Sequence, residues 1–286
     1  MALVLDYEFD NFSTAADGTR KVVDASGNLN DGTMESGQGL AFDGSNDYID
    51  TGFAVKSTWK TLGGVFNFQH NTLAVFVYGG DNAINNRFGL GCAYMGYANI
   101  YKISNTSIGT FSAVLTKRST GNVHFWQGTN EVYFTAANDL IDEVYNSTPV
   151  PFCIGAHVNN GVLKYTGSSI VLHCFILDVE MTDADIIYFN NNSEAIIEMA
   201  ITQTSNPNLS FQPSNILHLW PLDEGNGNTV TDIITGQVGT MINMPTDNTQ
   251  WTNADLQPYG HQKFRFKKDV NGNPSALADP KTVRFD

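Results

Sequence analysis

The feature that most constrains the fold is a long series of short apolar segments separated by turns rich in Gly, Asn, Asp and Ser. β-Branched and aromatic residues, which favour strands, fill these segments, and no interleaved helical pattern is long enough for β–α–β units. Short strands at such regular spacing predict an antiparallel sandwich or jelly roll. The predicted strands are 2–9, 38–43, 47–53, 61–69, 72–79, 87–95, 98–103, 108–117, 121–127, 131–135, 151–157, 162–165 and 169–179.

One convincing helical pattern follows the strands. Thr182 is a suitable N-cap for the sequence DADIIYFNN, in which Asp183 and Asp185 lie near the positive end of the helix dipole. Residues Ser193–Gln203 extend this helix or form a second short one. Residues Thr204–Asn215, rich in Pro, Asn and Ser, are predicted to be a linker.

Charge and composition exclude several classes of partner. The net charge of −14 argues against nucleic acid and anionic membranes, since both repel an acidic surface. No apolar run approaches the ~18–20 residues of a membrane-spanning helix, and MALVLDYEFD lacks the features of a signal peptide. The three cysteines, Cys92, Cys153 and Cys174, are widely spaced within apolar runs, which predicts buried reduced thiols. We therefore expect a soluble chain that is made in a cytoplasm.

A similar pattern of apolar strand, acidic turn and glycine occurs twice. We name residues 3–33 the first opening segment; they contain DASGN at Asp24–Asn28 and DGT at Asp31–Thr33. We name residues 216–260 the second opening segment; they contain WPLDEG at Trp220–Gly225 and DIITGQVGT at Asp232–Thr240.

Three motifs, in order along the chain, resemble the laminin-G-like, concanavalin A-like jelly-roll family. The first opening segment is similar to the start of such domains. Gly39–Gly52, GLAFDGSNDYIDTG, is similar to their Phe-Asp-Gly strand pair, and Pro151–Asn192 is similar to their closing strands and helix start. The resemblance covers residues 1–192 and implies an all-β, antiparallel sandwich with one or two short C-terminal helices, followed by a small β-rich extension.

These observations predict four parts of the chain. They are a jelly-roll domain at 1–192, a short helix and linker at 193–215, a truncated repeat of the opening motif at 216–260, and an extended basic tail at 261–286. The 35 residues after Trp251 are too few for a second complete sandwich. We therefore expect the second opening segment to extend the first sheet or to form a small module that docks to a partner.

Asp24, Asp43 and Asp47 are candidate ligands of a structural Ca²⁺, because hard cations take carboxylate and carbonyl oxygens. Turn formation explains the same residues without a cation, since Asp and Ser oxygens bond nearby backbone amides in turns. No EF-hand loop or other spacing fixes a site. We expect no required cofactor, with a structural Ca²⁺ as the candidate addition.

The sequence offers no catalytic constellation. The resembling family includes glycan hydrolases with a Glu-x-Asp-x-x-Glu strand, which is absent here, and Glu131 and Glu143 are isolated in sequence. The histidines show no metal spacing and no Ser or Cys partner suggestive of a triad; those considered are His70, His124, His157 and His173. We therefore expect a non-enzymatic protein.

Aromatic residues beside polar ones predict a sugar-binding surface instead. Tyr94 and Tyr97 lie in CAYMGYANIYK, and His124 and Trp126 share one face of a predicted strand. Side chains alternate along a strand, so Phe125 takes the opposite face, and we expect the Trp126 ring to be at least partly exposed. Tyr94, Tyr97, His124 and Trp126 are the candidate glycan-binding set, with core packing as the alternative for each ring.

Residues past 260 hold six of the fifteen Lys and Arg residues. The basic residues Lys263, Arg265, Lys267 and Lys268 are candidates for docking on an acidic neighbouring subunit by charge complementarity. The alternative is that the tail wraps back over the acidic jelly roll of its own chain.

A lectin-like fold without an export signal favours a bacteriophage structural protein. It would be a tail or head fibre or decoration component that assembles in the host cytoplasm, resides in the virion and contacts other virion proteins. A homotrimer and binding to host-surface polysaccharide are further expectations from fold analogy. Two alternatives are a capsid or tail cement module that binds no sugar, and a secreted or surface-bound bacterial adhesin or carbohydrate-binding module.

Overall fold

The computed structural model describes residues 7–14, 20–24, 32–35, 38–68, 74–79, 87–92, 94–98, 100–102, 109–118, 123–128, 130–134, 151–159, 162–166, 168–225, 227–253 and 265–268. Its strands are β1 (Tyr7–Thr14), β2 (Arg20–Asp24), β3 (Gly32–Glu35), β4 (Gln38–Asp43), β5 (Tyr48–Ala54), β6 (Thr61–Phe68), β7 (Ala74–Gly79), β8 (Arg87–Cys92), β9 (Tyr94–Ala98), β10 (Ile100–Lys102), β11 (Gly109–Lys117), β12 (Val123–Gln127), β13 (Asn130–Phe134), β14 (Pro151–Ile154), β15 (Ala156–Asn159), β16 (Val162–Thr166), β17 (Ser168–Leu177), β18 (Ile216–Trp220), β19 (Thr229–Thr231), β20 (Val238–Ile242), β21 (Trp251–Asn253) and β22 (Arg265–Lys268). Helices α1 (Asp183–Asn191) and α2 (Ala195–Thr202) follow β17, and a 3-10 turn at Pro213–Asn215 precedes β18. Neither α-helix in the described residues has the length and apolar character needed to cross a membrane.

The chain forms two compact units whose boundaries differ from the predicted ones. The larger unit is Gly39–Ala254, and the smaller one combines Met1–Gln38 with Asp255–Asp286. The sequence predicted that residues 1–192 form the sandwich and that residues 216–260 extend its first sheet or form a small module that docks to a partner. The structure agrees with the first alternative, because β20 pairs with β5. It differs in the N-terminal boundary, because the strands of the first opening segment do not pair with the strands of the two sheets of the larger unit.

The larger unit is built on two antiparallel sheets, which confirms the predicted all-β sandwich. Sheet 1 has the order β10-β9-β8-β7-β14-β5-β20-β19. Sheet 2 has the order β13-β12-β11-β6-β17-β4-β21, and β18 also pairs with β17. Strands β15 and β16 form a separate hairpin.

Apolar residues from both sheets form the core between them. Trp59 contacts Phe88 and Phe152 of sheet 1, with ring centroids 5.5 and 5.4 Å apart respectively. Phe152 in turn stacks on Trp220 of β18 at 5.8 Å. Burial of these large rings supplies much of the driving force for folding, since each aromatic side chain removes about 150–250 Å² from water. The second opening segment therefore contributes to the centre of the core through Trp220.

Helix α1 begins where the sequence predicted. Thr182 is the N-cap and forms a reciprocal capping box with Asp185, which lies in the first turn with Asp183. The ring of Phe189 packs edge-on against Phe175 of β17 at 5.2 Å. Phe175 lies opposite Gly63 of β6, where a Cβ atom would come within 2.3 Å of the Phe175 ring, so this position requires glycine. Helix α1 thus covers the outer face of sheet 2.

The second opening segment contributes strands to both sheets of the larger unit. Strand β4 pairs with the first half of β17 through Ser168–Val171, and β18 pairs with the second half through Cys174–Leu177. The β19–β20 hairpin adds to β5 at the edge of sheet 1. The backbone amide of Ala41 in β4 donates to the carbonyl oxygen of Gln250, which precedes β21. Residues near the C-terminal end of the larger unit therefore complete the sandwich.

Sheet 3, with the order β1-β2-β3-β22, is the described part of the smaller unit. Arg265 lies opposite Glu35, and Lys267 lies opposite Thr33. Three of the basic residues predicted to dock on a neighbouring subunit, Arg265, Lys267 and Lys268, therefore lie in a strand that pairs with the chain's own N-terminal segment. The fourth, Lys263, lies outside the described residues.

Two of the three cysteines are buried free thiols, as the sequence predicted. Cys153 and Cys174 both lie in the larger unit. Burial raises the pKa of the Cys153 thiol to about 12, and it raises the pKa of Cys174 well above its ordinary value. A high pKa keeps both thiols protonated and therefore unreactive at neutral pH. The side chain of Cys92 lies outside the described part.

Candidate functional site

Strand β12 places two of the predicted glycan-binding residues on one face. Phe125 belongs to the core, and its neighbours His124 and Trp126 take the opposite face, as strand alternation predicts. The expected exposure of Trp126 is wrong, however, because only 8% of this residue is accessible. The indole is therefore a buried ring and cannot serve as an open platform for a sugar.

The outer face of sheet 2 is covered near Trp126 by helix α1. Trp126 lies opposite Val114 of β11. Two residues before Val114, the Ser112 hydroxyl donates to Asn190 Oδ1 of α1 at 2.7 Å, so this face of β11 meets the helix. The sequence predicted both β12 and α1 but not that the helix would return over this face, because that contact joins residues far apart in the chain.

His124 has a carboxylate partner that sequence reasoning missed. His124 Nδ1 lies within hydrogen-bond distance of Glu131 Oε1. The two side chains remain partly exposed, at 20% for His124 and 29% for Glu131. Glu131 seemed isolated in sequence. Because the chain reverses at Gly128, Glu131 of β13 lies opposite Trp126 of β12. The available signal was the predicted turn at Gly128-Thr129-Asn130, which implies pairing between residues on its two sides.

Two buried donors near this pair have no hydrogen-bond partner among the residues that the structure describes. They are Nε1 of Trp126 and Nε2 of the adjacent Gln127, which is also only 8% exposed. An unmade hydrogen bond of a buried donor costs about 1–3 kcal/mol, so such groups are uncommon in native proteins. We name His124, Trp126, Gln127 and Glu131 the β12–β13 cluster. It combines a carboxylate, an imidazole, an amide and an indole within one edge hairpin.

Tyr94 and Tyr97 belong to another part of the sandwich. Both lie in β9, which is a strand of sheet 1, whereas β12 is a strand of sheet 2. Their side chains lie outside the described part. The four predicted glycan-binding residues are thus divided between two sheets, and the described geometry unites only His124 and Trp126.

The candidate calcium ligands Asp43 and Asp47 build the turn between β4 and β5. The amide of Asp43 donates to Asp47 Oδ2 at 3.1 Å, and the amide of Ser45 donates to Asp43 Oδ1 at 2.6 Å. Burial raises the pKa of Asp47, partly offset by the Asp43 amide. The side chain of Asp24 lies outside the described part. Within the described residues, no three His, Cys, Asp or Glu side chains converge on a possible metal site.

A buried histidine–aspartate pair lies in the second opening segment. His218 Nδ1 donates to Asp232 Oδ2 at 2.8 Å, and the imidazole stacks on Trp220 with a centroid separation of 5.6 Å. Burial would raise the pKa of Asp232, but hydrogen bonds from His218, Leu219, Thr235 and Ile234 outweigh it and lower the pKa. These partners are all in the opening motif, and His218 is surrounded by core rings. We interpret the pair as a structural link between β18 and the loop after β19.

Comparisons with known proteins find similar shapes at low identity. No protein-family model and no curated protein match the chain. Among solved structures, a heptameric SAP-like pentraxin from Limulus polyphemus is 8% identical over 54% of this chain and 81% of its own, with a TM-score of 0.42. The CBM40 of Ruminococcus gnavus IT-sialidase, bound to α2,3 sialyllactose, is 10% identical over 54% of this chain and 99% of its own, with a TM-score of 0.44.

A proposed carbohydrate-binding protein from Bacteroides ovatus is 15% identical over 78% of this chain and 66% of its own, with a TM-score of 0.48. Because the three TM-scores are below 0.5, the function of this chain must be argued from its own residues.

Proposed function

We propose that this chain is a non-enzymatic, lectin-like protein that binds carbohydrate at the β12–β13 cluster. The observation that carries the proposal is the partly exposed pair of His124 and Glu131 beside the buried Trp126, whose indole N–H has no partner in the described part of the chain. These groups stand on paired strands of a packed sheet, which holds them in fixed positions. Binding sites of this kind use a few well-placed polar groups on a rigid scaffold.

The chemistry of the cluster suits sugar hydroxyls. Each hydroxyl both donates and accepts hydrogen bonds, so a carboxylate such as Glu131 can accept from two neighbouring hydroxyls. The imidazole of His124 supplies a second polar contact. A ligand oxygen that reaches Trp126 Nε1 or Gln127 Nε2 would also accept from a buried donor that has no partner among the described residues.

A glycan array followed by titration of the best ligand tests this proposal. Glu131→Gln keeps the size of the side chain and removes its charge, and we expect it to weaken binding about tenfold, since hydrogen bonds to charged groups are worth about 1.5–3 kcal/mol. Glu198→Gln is the matched control, because it makes the same change on helix α2, which contributes no residue to the β12–β13 cluster. The proposal fails if no glycan binds at high micromolar concentration or if both variants bind like the wild type.

A cement module without sugar binding is the second candidate function. The burial of Trp126 favours it, because a buried ring gives no stacking platform. The same array separates the two candidates: a protein that binds no glycan yet is incorporated into its parent particle is a cement.

We further propose that the protein belongs to a bacteriophage particle, and this proposal rests on the sequence. The Cys-poor, Gly-rich composition is compatible with a tail or head fibre or decoration protein of a bacteriophage. Flanking capsid or tail genes and density for the chain in a cryo-EM map of the particle would support it. A gene neighbourhood of bacterial surface proteins would favour the adhesin instead. Light scattering tests the expected homotrimer, and thermal melting with and without a chelator tests the candidate Ca²⁺.

A further inference from the structure

The β2–β3 hairpin of the first opening segment repeats the register of the β19–β20 hairpin in the second. Val22 lies opposite Gly32 in the first hairpin, and Val230 lies opposite Gly239 in the second. The next pairs, Lys21 with Thr33 and Thr229 with Thr240, also correspond. The inner strands share the sequence Gly-Thr-Met, at residues 32–34 and 239–241. The two hairpins are therefore equivalent pieces of backbone.

The strand that pairs with each hairpin also corresponds. In sheet 1, Met241 lies opposite Ile49 and Thr240 lies opposite Asp50 of β5. In sheet 3, Met34 lies opposite Phe266 and Thr33 lies opposite Lys267 of β22. Strand β22 thus occupies, beside β3, the place that β5 occupies beside β20. The tail strand covers the edge of β3 that would otherwise match β5.

The position beside β5 in sheet 1 suits the residue types of the β2–β3 hairpin. Val230 and Met241 are core residues of the sandwich, and Gly239 packs so closely that a Cβ atom would lie 3.0 Å from Ile49 Cγ2. The β2–β3 hairpin supplies valine, methionine and glycine at the corresponding positions 22, 34 and 32. Both hairpins therefore carry the valine, the methionine and the glycine that this position beside β5 requires.

The connection between β3 and β4 is too short for the β2–β3 hairpin to reach this position in its own chain. The end of β20 lies at the β4–β5 turn, where Asn243 Nδ2 donates to the carbonyl oxygen of Asn46. Glu35 would take the place of Ile242 there, but β4 begins at Gln38 and reaches that turn only at Asp43, about 17 Å along the strand. The three steps from Glu35 to Gln38 span at most about 11 Å. With β4 intact, the hairpin can fit only another chain.

We propose that the β2–β3 hairpin of one chain replaces the β19–β20 hairpin beside β5 in a second copy of this chain. Such an exchange links copies without any new type of contact, because it substitutes one equivalent hairpin for another. In a single chain, β22 protects the donor edge of β3 and β19–β20 occupies the acceptor position. Assembly thus requires that β22 leaves β3 in the donor and that the acceptor chain unfolds and refolds around the donor hairpin. Because two chains must meet, exchange depends on protein concentration.

Disulfide trapping between two full-length variants tests the exchange. One variant carries Thr33→Cys, and the other carries Asp50→Cys with Gly239→Val, which weakens the packing of β20 against Ile49. Both also carry Cys153→Ala, because Cys153 lies opposite Asp50 and would compete for the new thiol. Directly paired positions in neighbouring strands lie about 4.5–5.5 Å apart, within the range of a disulfide. A parallel mixture without Gly239→Val, incubated in subdenaturing urea, makes the test independent of that substitution.

We expect a covalent dimer in which mass spectrometry identifies a bond between positions 33 and 50. Lys21→Cys is the matched control for Thr33→Cys, because position 21 would lie two strands from β5, about 9–10 Å away and beyond disulfide reach. The proposal is overturned if the dimer is no more abundant than with Lys21→Cys in both mixtures. A third variant carries both Thr33→Cys and Asp50→Cys in one chain. The proposal is also overturned if positions 33 and 50 become linked only within this chain and never between two chains.

Discussion

Asp232 is fully buried and accepts hydrogen bonds from two backbone amides, those of Leu219 at 3.0 Å and Ile234 at 3.0 Å. The side chains of His218 and Thr235 donate to its other oxygen at 2.8 and 2.7 Å. This one carboxylate therefore joins β18 of sheet 2 to the loop that connects two strands of sheet 1. Such a role gives the aspartate of the opening motif a structural function.

The lowered pKa of Asp232 predicts a pH dependence of stability. A carboxylate with a folded pKa below its unfolded value of about 3.9 contributes stability that is present above pH ~4 and is lost as the pH falls through the folded pKa. We expect Asp232→Asn to destabilise the protein at pH 7 and the difference from wild type to shrink as the pH falls below about 4. Urea unfolding at several pH values measures this; a difference that stays constant with pH would contradict the assignment.

The buried indole of Trp126 predicts a structural penalty on truncation. Trp126→Ala should lower the free energy of unfolding by about 3–5 kcal/mol, as for other large-to-small changes in cores. Trp126→Phe keeps a ring and should cost less. Chemical denaturation measures both. A loss below about 1 kcal/mol for Trp126→Ala would show that the ring is not packed, and would restore it as a candidate sugar platform.

Among the elements, helix α1 is secured by Asp185. Its carboxylate accepts from the amide and hydroxyl of Thr182 at 2.8 and 2.7 Å, which caps the helix. It also accepts from the amide and hydroxyl of Ser210 at 2.7 and 2.6 Å. The segment predicted to be a linker is thus fastened to the helix rather than loose, and it carries the chain back to β18.

Removing this double contact should cost more than removing the cap alone. Thr182→Ala is expected to lower the free energy of unfolding by about 1 kcal/mol. Asp185→Ala should lower it by about 2–3 kcal/mol, because the hydrogen bonds that both Thr182 and Ser210 donate to the buried carboxylate are lost. The exposed neighbour Asp183, changed to Ala, is the control and should cost less than about 1 kcal/mol. Equal effects of Thr182→Ala and Asp185→Ala would contradict the proposed link to Ser210.

Local signals predicted many strands and the start of α1, although β2 and β3 were not among the predicted strands, and long-range contacts were not predictable. Strand β4 was predicted at 38–43 and lies there, because its ends are set by turn residues next to it. The start of α1 at Thr182 was likewise encoded within four residues. The burial of Trp126 depends on α1, which lies about 60 residues away in sequence. The pairing of His124 with Glu131, by contrast, is a local contact, and the predicted turn between β12 and β13 was a signal for it.

At the scale of the whole molecule, the doubled opening motif has two different structural outcomes. The second opening segment supplies β18 to sheet 2 and β19–β20 to sheet 1. The first opening segment pairs with β22 in the smaller unit. Sequence similarity revealed the duplication but favoured the first copy as the start of the sandwich. The choice between them depends on chain reach: eight residues connect β20 to β21, whereas two connect β3 to β4.

Native-state hydrogen exchange tests most directly whether the second opening segment is an integral part of the sandwich. Amides of Leu219 in β18 and Met241 in β20 are hydrogen-bonded, and Val65 of β6 serves as the central reference. We predict that Leu219 and Met241 exchange with the same free energy as Val65, because all three positions open only when the sandwich unfolds globally. Exchange of Leu219 and Met241 at a much lower free energy, while Val65 stays protected, would show that the sandwich holds without the second opening segment and would contradict this account.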